Sequence, residues 1–141
     1  MKKAKRILVG LKMLDQAVEL TDLACRLGAR GATLLLAHVI ELPEPTPLSA
    51  EVPDLEALAN KIIATAERVA NRSGLKTNRL ILRAHYAGEA LIHEMEDKEV
   101  ELAVIGYHHR AMLAEMLLGT TARHIARHAP CHLLITVPPR A

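Results

Sequence analysis

Apolar runs alternate with stretches of helical periodicity along the whole chain, and this alternation restricts the fold more than any other feature. Arg6–Leu11, Thr33–Ile40, Thr77–Arg83, Glu101–Gly106 and His132–Val137 read as five strands. Between them, Asp15–Leu27, a long segment capped by Asp54 and ended by Gly74, Gly88–Lys98 and Thr120–His128 read as four helices. Gly28 or Gly31 is expected to close the first helix. Strictly alternating elements predict an α/β fold, a parallel sheet wrapped by helices on both faces through right-handed crossovers. In the third strand, Asn78, Leu80 and Leu82 alternate with Arg79, Ile81 and Arg83, which places it at an edge with one wetter face. Glu41–Pro53 contains four prolines and is expected to be a loop.

Composition removes several function classes. A length of 141 residues fits one domain, expected over 1–141, with a single core. Phe and Trp are absent and Tyr86 and Tyr107 are the only aromatics, so the core must be built from Leu, Ile, Val, Ala and Met. No basic-aromatic interleaving exists to stack bases, and a net charge of +2 is too balanced for nucleic-acid binding. No stretch approaches the length of a membrane span, and the basic start MKKAKRILVGLK has too short an apolar run for a signal peptide. Cys25 and Cys131 lack CxxC or metal-ligand spacing and read as buried thiols, consistent with a reduced cytoplasm.

The most informative segment is 102–130, LAVIGYHHRAMLAEMLLGTTARHIARHAP. An apolar strand ends on Gly106, and after an intervening loop Gly119-Thr120-Thr121 opens a helix that stops before Pro130. Glycine permits close backbone approach, and a helix start offers unpaired amides at the positive end of the dipole. Together these are the parts of a phosphate cradle. Thr120 has two compatible readings, a hydroxyl toward phosphate or Mg²⁺ and a plain N-cap.

Gly106, two residues, His109, nine residues and Gly119-Thr120 make a spacing that resembles the universal stress protein family, whose nucleotide-binding members carry glycine where His109 stands. Lys5–Leu11, Ala32–Ile40 with its His-Val ending, and His124–Ile135 resemble the family's first strand, second strand and last helix and strand. The resemblance implies an open twisted five-stranded sheet of order 3-2-1-4-5, Rossmann-like and of the adenine nucleotide alpha hydrolase-like type. In such sheets the ligand crevice lies beyond the C-terminal strand ends where the order reverses, here between strands one and four. The resemblance further implies ATP, ADP or AMP in that crevice, with Mg²⁺ as an accompanying ion. Gly106, His108, His109, Gly119, Thr120 and Thr121 would face the phosphates, and Val39 and Ile105 the base. Lys12 stands where nucleotide-binding members carry an Asp that contacts the nucleoside, and an ammonium only donates. Family members dimerise through the last strand, so His132–Val137 is the expected homodimer edge, beside an unidentified client protein.

Other chemistry is thinly represented. His124 and His128 share a helix face, but no third ligand accompanies them, and no metal site is expected. Arg123 and Arg127 read as a solvated face, and Arg110 as a basic group near the motif. The acidic run Glu94, Glu96, Asp97, Glu99 and Glu101 reads as a solvated helix end. No catalytic acid, base or nucleophile is placed, so a regulatory nucleotide-binding protein ranks above an enzyme. The alternative is a dimerisation or interaction module of the same fold that binds no nucleotide.

Overall fold

The structure is a computed structural model that describes residues 2–107 and 119–137. Its described elements are β1 (Ala4–Gly10), α1 (Leu14–Leu27), β2 (Gly28–Glu41), α2 (Pro53–Arg72), β3 (Lys76–Ala84), α3 (Ala87–Asp97), β4 (Leu102–Gly106), α4 (Thr120–His128) and β5 (His132–Thr136). They form one sheet of order β3-β2-β1-β4-β5, with every neighbouring pair parallel. The alternation expected from the sequence therefore holds, as does the edge position of β3.

The sheet divides two apolar layers. Ile7, Val9, Leu34, Leu36 and Val104 point toward α1 and α2, where Leu20, Ala24, Ile62, Ile63 and Ala66 cover them. Leu8, Leu35, Ala37, Ala103 and Ile105 point the other way, toward Leu91, Met95 and Ile125 of α3 and α4. Successive residues in a strand face opposite sides, so strands buried on both sides read as continuous apolar runs. Aliphatic side chains fill both layers, with Met95 in the layer under α3 and α4, as the missing Phe and Trp require.

Several boundaries differ from expectation. Asp54 does not cap α2; the cap position is Val52, with Pro53 opening the helix, where its missing N–H costs nothing. Leu55 and Leu58, in the first turns of α2, are each 42% exposed. β2 begins at Gly28, well before Thr33, because α1 passes directly into it through an extended Gly28 (φ −79°, ψ 148°). The register slips between Ala4 and Arg6, opposite the segment that contains left-handed Gly31 (φ 76°). Glu101 lies beyond α3, and its carboxylate accepts the backbone amides of Lys5 (2.6 Å) and Arg6 (3.1 Å), tying β4 to the start of β1.

The proline-rich stretch after β2 is anchored to the β3 edge. Arg83 donates to the carbonyls of Leu48 (3.0 Å) and Ala50 (2.6 Å) and pairs with Glu56 of α2. Nearby, Arg79 of β3 makes a two-pronged contact with Glu67 of α2 at 2.7 and 2.9 Å. Among the described residues no helix is long and apolar enough to cross a membrane.

Candidate functional site

A cavity of about 630 Å³ opens at the C-terminal strand ends, where the order turns from β1 back toward β4. That volume lies in the range of small-molecule sites. Gly10, Ala37, Val39 and Ile105 form an apolar floor. Gly10 allows the floor to close: a Cβ there would lie 2.9 Å from Ile105 Cγ2.

Short backbone latches hold the strand ends. Leu11 N donates to Ala37 O at 2.8 Å, and the buried His38 ring meets Leu11 O through Nδ1 at 2.6 Å. A carbonyl only accepts, so this contact places a proton on Nδ1. On the far side, Tyr107 N donates to Thr136 O at 2.8 Å, and Gln16 Nε2 of α1 donates to Tyr107 O at 3.1 Å.

Among the helix N-termini that line the cavity, those of α3 and α4 differ in charge. At α3, Glu41 Oε2 accepts the first amide, Ala87 N, at 2.7 Å, and Glu89 in the first turn adds a second carboxylate. Tyr86 precedes the helix; its hydroxyl donates to Glu44, which holds the phenol above its ordinary pKa. His85 Nδ1 contacts Leu42 O at 3.0 Å. This end of the cavity is thus acidic and already bonded.

At α4 the cap position is Gly119, not Thr120, and among the described residues no side chain caps the helix. Arg123 N makes the first intrahelical bond, to Gly119 O at 2.9 Å, leaving the amides of Thr120, Thr121 and Ala122 without helical partners. The first turn carries no acidic residue, and Arg127 and His128 lie in the last. Gly119 has an extended backbone (φ −59°, ψ 162°), and a Cβ there would meet nothing within 4 Å among the described residues.

Gly106 has another reason to be glycine. It is not in the left-handed region, but a Cβ there would stand 2.8 Å from Gln16 Oε1.

The structure thus gathers Lys12, Val39, Ile105, Gly106, Gly119, Thr120 and Thr121 around one cavity. His108 and His109 lie outside the described residues, as does Arg110. Gln16, Glu41, His85 and Tyr86 also line the cavity and were not singled out from the sequence. Arg123 and Arg127 are exposed, as expected of a solvated face. The His124 ring lies over Gly88, 3.0–3.2 Å from where a Cβ would be, and its centroid is 4.6 Å from that of His128. Among the described residues no group of three or more His, Cys, Asp or Glu is arranged to hold a metal ion. Cys25 and Cys131 are only partly buried, not fully as expected, and that partial burial raises the pKa of both thiols.

Comparison with known proteins adds three kinds of likeness. Residues 3–137 match the family model described as Universal stress protein family. Universal stress protein Slr1230 of Synechocystis sp. is 31% identical over 74 residues, 52% of this chain and 25% of that protein, so the match spans a quarter of the relative's length. Among solved structures, a universal stress protein in complex with cAMP superposes with a TM-score of 0.74 at 20% identity, covering 96% of this chain and 98% of that one. The universal stress protein from Archaeoglobus fulgidus in complex with dAMP gives 0.69 at 18% identity, covering 92% and 95%. A universal stress protein family protein from Arabidopsis thaliana with AMP bound gives 0.63 at 12% identity, covering 96% and 92%. At these identities the structural likeness establishes the fold.

Proposed function

The chain belongs to the universal stress protein family, and on that premise we propose that it is a regulatory protein that binds an adenine nucleotide in the crevice between β1 and β4. The observation that carries this reading is the asymmetry of the cavity. An apolar floor of Val39 and Ile105 suits a base, and one wall offers the uncapped α4 amides beside an open Gly119. Glu41 and Glu89 make the start of α3 less favourable to phosphate than the start of α4, which orients the ligand with its anionic end on Gly119–Thr121. Thr120 and Thr121 supply the hydroxyls on that wall that a phosphate-bound Mg²⁺ would use. Lys12 lines the opening and adds positive charge where the family's nucleotide binders carry a carboxylate, drawing the phosphates rather than the nucleoside. Family relatives solved with cAMP, dAMP and AMP support adenine as the base.

The same reading makes the protein a cytoplasmic, non-enzymatic homodimer joined at β5 that acts on a client protein.

Thermal melting with increasing AMP tests the nucleotide assignment. A ligand that binds only the folded state raises apparent stability, by about 2.7 kcal/mol at a hundredfold excess over Kd. The expected result is a melting temperature that climbs with AMP and stays fixed with free adenine at equal concentration. An unchanged melting temperature up to millimolar AMP would instead support the interaction-module reading.

A further inference from the structure

Gln16, on the first turn of α1, spans the crevice from the β1 side to the end of β4. Its Nε2 donates to Tyr107 O at 3.1 Å. A carbonyl cannot donate, so the bond also orients the amide, with nitrogen toward Tyr107 and Oε1 on the other side. That amide rests where a side chain on residue 106 would be. Gln16 Oε1 lies 2.8 Å, and Cδ and Nε2 3.0 Å, from the position of a Gly106 Cβ. Gly106 has no left-handed backbone to explain its identity. Its missing side chain is the seat for Gln16. Tyr107 is gripped from the opposite edge too, through its amide to Thr136 O at 2.8 Å.

We propose that Gln16 is a positioning residue for the ligand crevice. Seated on Gly106, it fixes the peptide at which the chain leaves β4, on the cavity wall beside the α4 amides. The proposal rests on the nucleotide reading for its ligand but makes a separate claim. Gly106 acts by accommodating Gln16.

The test compares Gly106→Ala, Gln16→Met and the double variant by calorimetric titration with AMP and by amide hydrogen exchange at Tyr107. A Cβ on residue 106 evicts the flexible amide, and Met at 16 fills the seat without donating. Each single change is expected to weaken AMP by about tenfold, the worth of one hydrogen bond of this kind, and to speed Tyr107 exchange equally. The double variant is expected to be no worse than either single one, because both remove the same contact. Multiplied losses of about a hundredfold would show two independent contributions and overturn the proposal.

Gln16→Glu adds a readout that a mere space-filler would not move. An ionised carboxylate cannot donate to Tyr107 O, whereas its protonated form can. Relative to wild type at the same pH, its AMP affinity is expected to recover as pH falls toward the ordinary glutamate pKa of about 4.3. A flat ratio would overturn the proposal. If wild type takes up no AMP, the nucleotide reading fails, and Tyr107 exchange decides the positioning claim alone. Faster exchange in both single variants would uphold it, and unchanged exchange would defeat it.

Discussion

At the residue scale, three glycines of the crevice do different work although they look alike in the sequence. Gly10 permits contact between neighbouring strands, Gly106 seats a side chain from α1, and a Cβ on Gly119 would meet no atom of the described residues. Gly10→Ala drives a methyl to within 2.9 Å of Ile105 Cγ2, a methyl fixed on the branched Cβ that cannot swing aside as the tip of a long side chain can. The expected cost is about 1–3 kcal/mol of folding stability, read as a lower urea midpoint with an unchanged slope. A midpoint equal to wild type would mean that the sheet absorbs the methyl without strain. The sequence pattern led to Gly106 and Gly119 because their spacing is a motif, and to Thr120 because it follows one. It did not lead to Gln16 or Glu41. Their partners Tyr107 and Ala87 lie 91 and 46 residues away in the chain, and no local periodicity encodes such a contact.

At the element scale, the buried strands were legible because both of their faces are apolar, and the α4 boundaries because Gly119 and Pro130 punctuate them. The N-terminal part of β2 was not, since Gly28-Ala29-Arg30-Gly31 has neither β-branched residues nor alternation and is held by pairing with Ala4 at a register shift. The α2 start was misplaced because Asp54 is a good capping residue, yet Pro53 fits the first helical position better. The edge strand β3 is tied to α2 by Arg79 and Glu67. This bond holds the Glu67 carboxyl below its ordinary value of 4.5, chiefly through the Arg79 hydrogen bond. A depressed folded pKa contributes stability at pH above the unfolded value and loses it as pH falls through the folded one. The pair is partly exposed and solvent-screened, so the contribution is below about 1 kcal/mol. Glu67→Gln should therefore be slightly less stable than wild type at neutral pH, with the gap closing in acid below 4.5. Urea denaturation at several pH values measures it; a gap that widens in acid would contradict the assignment.

At the scale of the whole molecule, the strand order 3-2-1-4-5 places the cavity and the free edge of β5 at opposite sides of β4. Leu133, Leu134 and Ile135 of β5 are only partly buried, and Val137 just beyond it is 56% exposed. An apolar edge of this kind is a template for pairing with a second copy. Sedimentation should give twice the mass of one chain, and Val137→Asp, which brings like charges together at the pairing edges, should raise the dimer dissociation constant about tenfold or more. A single-chain mass at all concentrations would remove β5 as the interface. Because Tyr107 N bonds Thr136 O, the β4 end of the cavity and the β5 edge share one peptide contact. The central claim remains the crevice itself. Equilibrium dialysis of the purified chain against labelled AMP tests it most directly: the account predicts saturable uptake of one AMP per chain, and no uptake at millimolar AMP would contradict it.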